Sequence, residues 1–288
     1  MKYAGQKYPA IEPLSRLIEY VYTIAIPDHE EAQLFHIAPS LEKMIVFNFG
    51  STYKCAVGNN ATMEEVSNKV TIMGPVRQMF NCMLNPGCDL LVCCFINDGF
   101  YRLASSSNDC ELREELLVLW ETLKGMPDDI DRIAILNEYL RTNVAGSEPQ
   151  VESLISSIPD IHNATLNPID VIAAKSLVSA RTVQLRFKKY AGYSSKELLR
   201  YLRFKQIIGW LIKNHEKEIN WMDLVVRFRY HDQSHMIKDF KYFTGLSPKK
   251  VLALCKQENL CISRDFLDDQ AIPPTLNEDG KHLHRESL

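Results

Sequence analysis

Ser179-Ala180-Arg181-Thr182-Val183-Gln184-Leu185-Arg186-Phe187-Lys188 is answered, 53 residues on, by Asp232-Gln233-Ser234-His235-Met236-Ile237-Lys238-Asp239-Phe240-Lys241. Each stretch opens on a residue able to cap a helix, Ser179 or Asp232. Each then sets an apolar residue four places before a phenylalanine, Val183/Phe187 and Met236/Phe240, which puts both on one helical stripe. Five residues after each phenylalanine comes a glycine, Gly192 or Gly245, suited to a left-handed helix end. The correspondence extends to Asp170/Asp223, Val171/Leu224 and Ile172/Val225 on one side, and to Ser194/Ser247, Lys196/Lys249 and Leu199/Leu252 on the other. Between the matches the copies part company, with Arg181/Ser234, Thr182/His235, Gln184/Ile237, Leu185/Lys238 and Arg186/Asp239. One scaffold presenting two surfaces is what reading two unlike stretches of DNA requires.

The charge distribution points the same way. The chain has 288 residues and a net charge of −3, but residues 151–256 hold 18 Lys/Arg against 9 Asp/Glu, while residues 1–150 hold 12 against 20. A basic segment inside an acidic chain implies a polyanionic partner for that segment. No apolar run approaches the ~18 residues of a membrane span. The start, Met1-Lys2-Tyr3-Ala4-Gly5, lacks a signal-peptide core, so a cytoplasmic protein with reduced thiols is expected. Cys82, Cys88, Cys93 and Cys94 contain no CxxC pair, and Leu90-Leu91-Val92-Cys93-Cys94-Phe95-Ile96 reads as a buried strand in which cysteine packs as a small apolar residue.

Upstream of the repeat the pattern changes. Ile18 to Ile24, Met44 to Phe49 and Val70 to Met73 are short apolar runs broken by Gly74-Pro75, Asn85-Pro86-Gly87 and Asn97-Asp98-Gly99, which predicts a β-rich barrel or sandwich. Two helical stretches follow, about Leu112–Leu123 and Asp131–Thr142. The domains expected are therefore a β-rich 1–107, a helical connector 108–143, a linker 144–157, an all-α 158–256 and an acidic tail 257–288 with little to form a core. The fold class is α+β, multidomain.

Within 158–256, Pro168 opens a short helix, Ser179 caps a second, and Val183, Phe187 and Tyr190 form its buried stripe. Arg181, Gln184 and Lys188 then share the outward face. Arg suits the paired acceptors of guanine, Gln the donor–acceptor edge of adenine, and Lys a phosphate. Arg186 fits a phosphate contact or a surface ion pair. In the second unit Gln233, Ser234 and His235 occupy the first turn of a recognition helix, with Lys238 one turn later and His235 serving equally as a base reader or a cap. The segment Lys196–Asn214 carries an apolar stripe that would hold the units in fixed relation. Asp232, Ser234 and His235 have the residue types of a hydrolase triad, but neighbours on one helical turn do not converge in triad geometry.

On these residues, positions 158–256 resemble the double helix-turn-helix domain of AraC/XylS-type transcription regulators. The chain has Arg229-Tyr230 where that family usually has Gly-Phe, and Leu185 where it has a basic residue. The amino-terminal region resembles, less closely, the cupin-like sensor domains that accompany such domains. The resemblance implies a bacterial, non-enzymatic regulator of double-stranded DNA without a cofactor, a small-molecule effector at the first domain, contact with RNA polymerase if it activates, and a homodimer. The alternative is a cupin-type enzyme with a helical association domain. Metal-binding cupins pair histidines one residue apart on a strand, and His29 and His36 lack that spacing.

Overall fold

The computed structural model describes residues 5–40, 42–58, 62–96, 98–105, 108–146, 168–191, 194–256 and 260–261. The expected linker beyond residue 146 and the tail beyond 261 lie outside them. The chain begins with nine strands: β1 (Gln6–Pro9), β2 (Ile18–Ala25), β3 (Gln33–Ile37), β4 (Lys43–Asn48), β5 (Tyr53–Val57), β6 (Glu64–Val66), β7 (Val70–Met73), β8 (Phe80–Leu84) and β9 (Asp89–Phe95). They form two sheets, ordered β1-β2-β9-β4-β7 and β3-β8-β5-β6, antiparallel throughout.

The first sheet is covered on both faces. One face, with Ile45, Phe47, Leu91, Cys93 and Phe95, packs against the helices α1 (Gly99–Ala104), α2 (Asp109–Lys124) and α3 (Asp129–Asn143), which contribute Leu103, Leu112, Leu116, Trp120, Leu136 and Leu140. The other face, with Met44, Val46, Leu90 and Cys94, meets Tyr53, Phe80, Cys82 and Leu84 of the second sheet. The central strands β4 and β9, buried on both sides, read as nearly unbroken apolar runs, which is why they stand out in the sequence. The helical layer is pinned by polar contacts as well. Asn108 caps α2 in a capping box with Glu111, Trp120 Nε1 donates to Asn48 O at 2.7 Å, and Arg132 pairs with Asp89 at 3.0 Å. The helix α1 falls where the Asn97-Asp98-Gly99 turn signal predicts only a break.

Among the described residues, six helices follow in the second half: α4 (Pro168–Lys175), α5 (Ala180–Ala191), α6 (Ser195–Asn214), α7 (Trp221–Arg227), α8 (Gln233–Thr244) and α9 (Pro248–Lys256). Their common core is threaded on α6, whose Leu198, Tyr201, Leu202, Phe204, Ile207, Ile208 and Leu211 are all buried. This is the stripe expected between the two units, and it explains their fixed relation.

The halves are joined by side-chain and backbone contacts. Met79 N–H donates to Phe243 O at 2.6 Å, Gln78 Nε2 to Tyr242 O at 3.1 Å, and Tyr201 Oη to Pro39 O at 3.2 Å. Arg77 lies 3.4 Å from Glu197, and Ala38 is buried in the helical core. After α9, Leu260–Cys261 forms β10, which pairs parallel with His36–Ile37 at the edge of the second sheet. The opening residues of the expected acidic tail thus return to the amino-terminal half.

Candidate DNA-recognition site

The first unit is built by α4, a tight turn and α5. Ser176 N–H bonds Ile172 O and Val178 N–H bonds Ala173 O, with Leu177 at φ 52° between them. Ser179 Oγ accepts from Thr182 N–H at 3.1 Å, the cap expected of it. Val183, wholly buried, seats α5 against Ile169, Ile172 and Ala173. The side chains of Phe187 and Tyr190, expected on the same stripe, and Gly192 lie outside the described residues.

In the second unit Phe228 N–H bonds Leu224 O, Tyr230 N–H bonds Val225 O, and Arg229 has φ 55°. Each of these features sits 52 residues after its counterpart, not 53. The recognition helices keep the 53-residue offset, with Ser179/Asp232 as caps and Val183/Met236 as seats. The second turn therefore carries one more residue, His231, before its cap. The pairing of Ile172 with Val225 read from the sequence is corrected accordingly: Ile172 corresponds to Leu224 and Ala173 to Val225, all four buried. The Arg229-Tyr230 departure also finds its place. Arg229 holds the left-handed conformation for which glycine is suited, and Tyr230 fills the core beneath it.

The second recognition helix is held from three sides. Asp232 Oδ1 accepts from His235 N–H at 2.6 Å, and Gly245, at φ 71°, ends the helix with its N–H on Lys241 O. Phe240 meets Phe204 edge-on at 5.4 Å, and Phe243 stacks on Phe204 at 4.5 Å. Arg200 Nε donates to the buried Asp239 at 2.5 Å, and its guanidinium lies 3.9 Å over the Tyr242 ring. Asp239 is thus an anchor, although it occupies the register of the half-buried Arg186. Burial, and then the Asp239 charge, push the Tyr230 phenol well above its ordinary range, so it stays neutral.

Arg181, Gln184 and Lys188 are exposed on one face of α5, whereas Arg186 is half-buried at its flank. Lys188 lies close enough to Glu197, in the capping box of α6, to help lower that carboxyl's pKa, behind the stronger effects of the Ser194 N–H and hydroxyl. Gln233, Ser234 and Lys238 are exposed on α8. His235 is half-buried, its ring edge-on to Tyr230 at 5.4 Å, and it joins the cap through its backbone N–H on Asp232, not through its side chain. Lys241 was absent from the expected contacts. It is exposed one turn beyond Lys238 and two beyond Ser234, and its equivalence to Lys188 in the repeat was the available signal. His36 Nδ1 lies 2.7 Å from Asn81 Oδ1, and no metal-holding cluster of His, Cys, Asp or Glu occurs among the described residues. No helix among them is long and apolar enough to cross a membrane.

Residues 172–253 match the family model described as a helix-turn-helix domain. This segment is a helix-turn-helix domain. ToxT from Vibrio cholerae is similar to the chain at 12% identity, covering 81% of this chain and 97% of that one, with a TM-score of 0.40. The same protein bound to (E)-4-(8-methylnaphthalen-1-yl)but-3-enoic acid aligns at 12% identity over 88% and 99%, with a TM-score of 0.41. The AraC-like transcriptional activator CuxR aligns at 11% identity over 70% and 79%, with a TM-score of 0.28. Curated proteins give no match. The helix-turn-helix domain occupies the basic part of the chain, and the β-rich half precedes it.

Proposed function

We propose that the chain is a sequence-specific DNA-binding transcriptional regulator whose two helix-turn-helix units read successive major-groove segments on one side of a duplex, about 34 Å apart. The observation that carries this reading is the pair of capped recognition helices, α5 and α8, seated alike on a basic domain and presenting different exposed side chains. Arg181 and Gln184 read bases in one half-site. Gln233 and Ser234 read bases in the other, with His235 supporting the helix start. Lys188, Lys238, Lys241 and Arg186 hold phosphates and set the register.

The amino-terminal domain answers a small-molecule effector, and Met79, Gln78 and Arg77 carry its state to α8 and α6 through the contacts described above. RNA polymerase is the further partner if the regulator activates, a homodimer is the assembly, and the cytoplasm is its place. Selection of duplexes from a random pool by the full-length chain, followed by mobility shifts at rising salt, tests the DNA reading. The expected product is an asymmetric site with two unlike halves, bound with steep salt dependence. A pool that remains random after selection would overturn it.

A further inference from the structure

Cys55 of β5 stands directly opposite Cys82 of β8. Opposed residues of an antiparallel pair share a face, and both sulfurs lie toward the inter-sheet core that holds Tyr53, Leu84 and Cys88. Their separation depends on parity. Hydrogen-bonded pairs hold their Cα atoms about 5.5 Å apart, and the alternate, non-hydrogen-bonded pairs about 4.5 Å apart. Gly58 N–H donates to Met79 O at 2.7 Å, and these two residues continue the Val57↔Phe80 register. Gly58/Met79 is therefore a hydrogen-bonded pair, and alternation makes Ala56/Asn81 the next one. Cys55/Cys82 falls on the closer, non-hydrogen-bonded kind. A spacing of about 4.5 Å lies at the short end of the roughly 4.4–6.8 Å that a disulfide spans.

Both residues stand as thiols, Cys82 buried and Cys55 half-buried, with β5 flanked by the three-residue edge strand β6. Cys93 and Cys94 are consecutive on β9, so they point to opposite faces and do not oppose each other in this way.

We propose that Cys55 and Cys82 form a reversible disulfide on reaction with a low-molecular-weight disulfide such as oxidised glutathione. The Cys55 thiolate, the more accessible, attacks the reagent and releases one reduced thiol. The Cys82 thiolate then attacks Cys55 Sγ in the mixed disulfide and releases the second. Two protein thiols lose two protons and two electrons, and the reagent leaves as two thiols. Burial first, and then Glu64 directly opposite across β5 and β6, hold the Cys55 thiol above its ordinary range. The reaction accordingly quickens as pH rises.

The test treats the full-length reduced chain with oxidised glutathione and maps the products by digestion and mass spectrometry. The expected product joins the peptides carrying Cys55 and Cys82, lacks two hydrogens, and separates on treatment with dithiothreitol. Cys55→Ser abolishes it, Cys110→Ser, on the exposed start of α2, leaves it unchanged, and Glu64→Gln speeds its formation at neutral pH. In the unmutated chain, glutathione that stays on Cys55, a bond to Cys88 as the main product, or thiols that survive the treatment unchanged would each overturn the inference.

Discussion

Leu177 and Arg229 sit at φ 52° and 55° in the two turns, and both side chains point away from the core. A non-glycine residue in this region costs about 1–2 kcal/mol from the clash of Cβ with the backbone. Glycine removes that clash but costs about 0.5–1 kcal/mol in unfolded-chain entropy. Leu177 is 93% exposed, so its side chain gives up almost no buried surface when removed. The net expectation for Leu177→Gly is a gain of about 0.5–1 kcal/mol, or roughly 1–4 °C in melting temperature for a chain of this size. Leu177→Ala keeps the Cβ at positive φ and should gain nothing. Arg229→Gly and Arg229→Ala repeat the comparison in the second turn, and the two glycine changes should add, because the turns belong to separate helix-turn-helix units. Equilibrium urea unfolding of the full-length variants, followed by circular dichroism, reads the difference. Glycine and alanine variants of equal stability at both sites would refute the argument that these turns store backbone strain.

Phe240 is fully buried against Phe204, so Phe240→Ala should cost about 3–5 kcal/mol and abolish DNA binding, while the β-rich half keeps its own melting transition; normal binding in a mobility shift would contradict this. Arg181→Ala and Gln184→Ala should relax discrimination by about 1–3 kcal/mol at one half-site, and Gln233→Ala at the other, in competition with single-base variants of the selected site. Uniform weakening on all sequences would assign those side chains to phosphates. Hydrogen bonds from Ser194, and then the charges of Arg77 and Lys188, depress the Glu197 pKa, so its contribution to stability is complete above the ordinary carboxylate pKa and is lost as pH falls through the lowered value. Glu197→Gln should therefore flatten the acid limb of the stability–pH profile without steepening the neutral region, which a series of melts from pH 3 to 7 checks.

Much of this is legible in the sequence. The caps Ser179 and Asp232, the seats Val183 and Met236, the terminating Gly245 and the α6 stripe follow from helical periodicity and from the few residue types that satisfy helix ends. The exposed Arg181, Gln184, Lys188, Gln233, Ser234 and Lys238 follow as the complement of that buried stripe. Asp239 did not follow, because a carboxylate on a helix reads as solvent-facing unless its partner is known, and Arg200 lies 39 residues away.

The sequence by itself determined the helical half and β2, β4, β7 and β9 of the first sheet, because their signals are local; the exposed edge strand β1 gave none. A helix repeats its buried side every three or four residues, and a strand covered on both faces is an apolar run. The second sheet was decided only by tertiary structure. Gln33–Ile37, Tyr53–Val57 and Glu64–Val66 mix Gln, His, Lys, Cys and Glu with apolar residues, since the sheet is covered on one face, and their pairing partners lie tens of residues away. Tertiary structure also decided the one-residue slip between the two turns. Matching side chains can be aligned at 53 residues, but the hydrogen bonds that close each turn belong to the backbone and leave no mark on residue type. It decided, finally, that β10 and the Met79–Phe243 hydrogen bond tie the DNA-binding half to the β-rich half, for such contacts depend on where two separately folded surfaces meet in space.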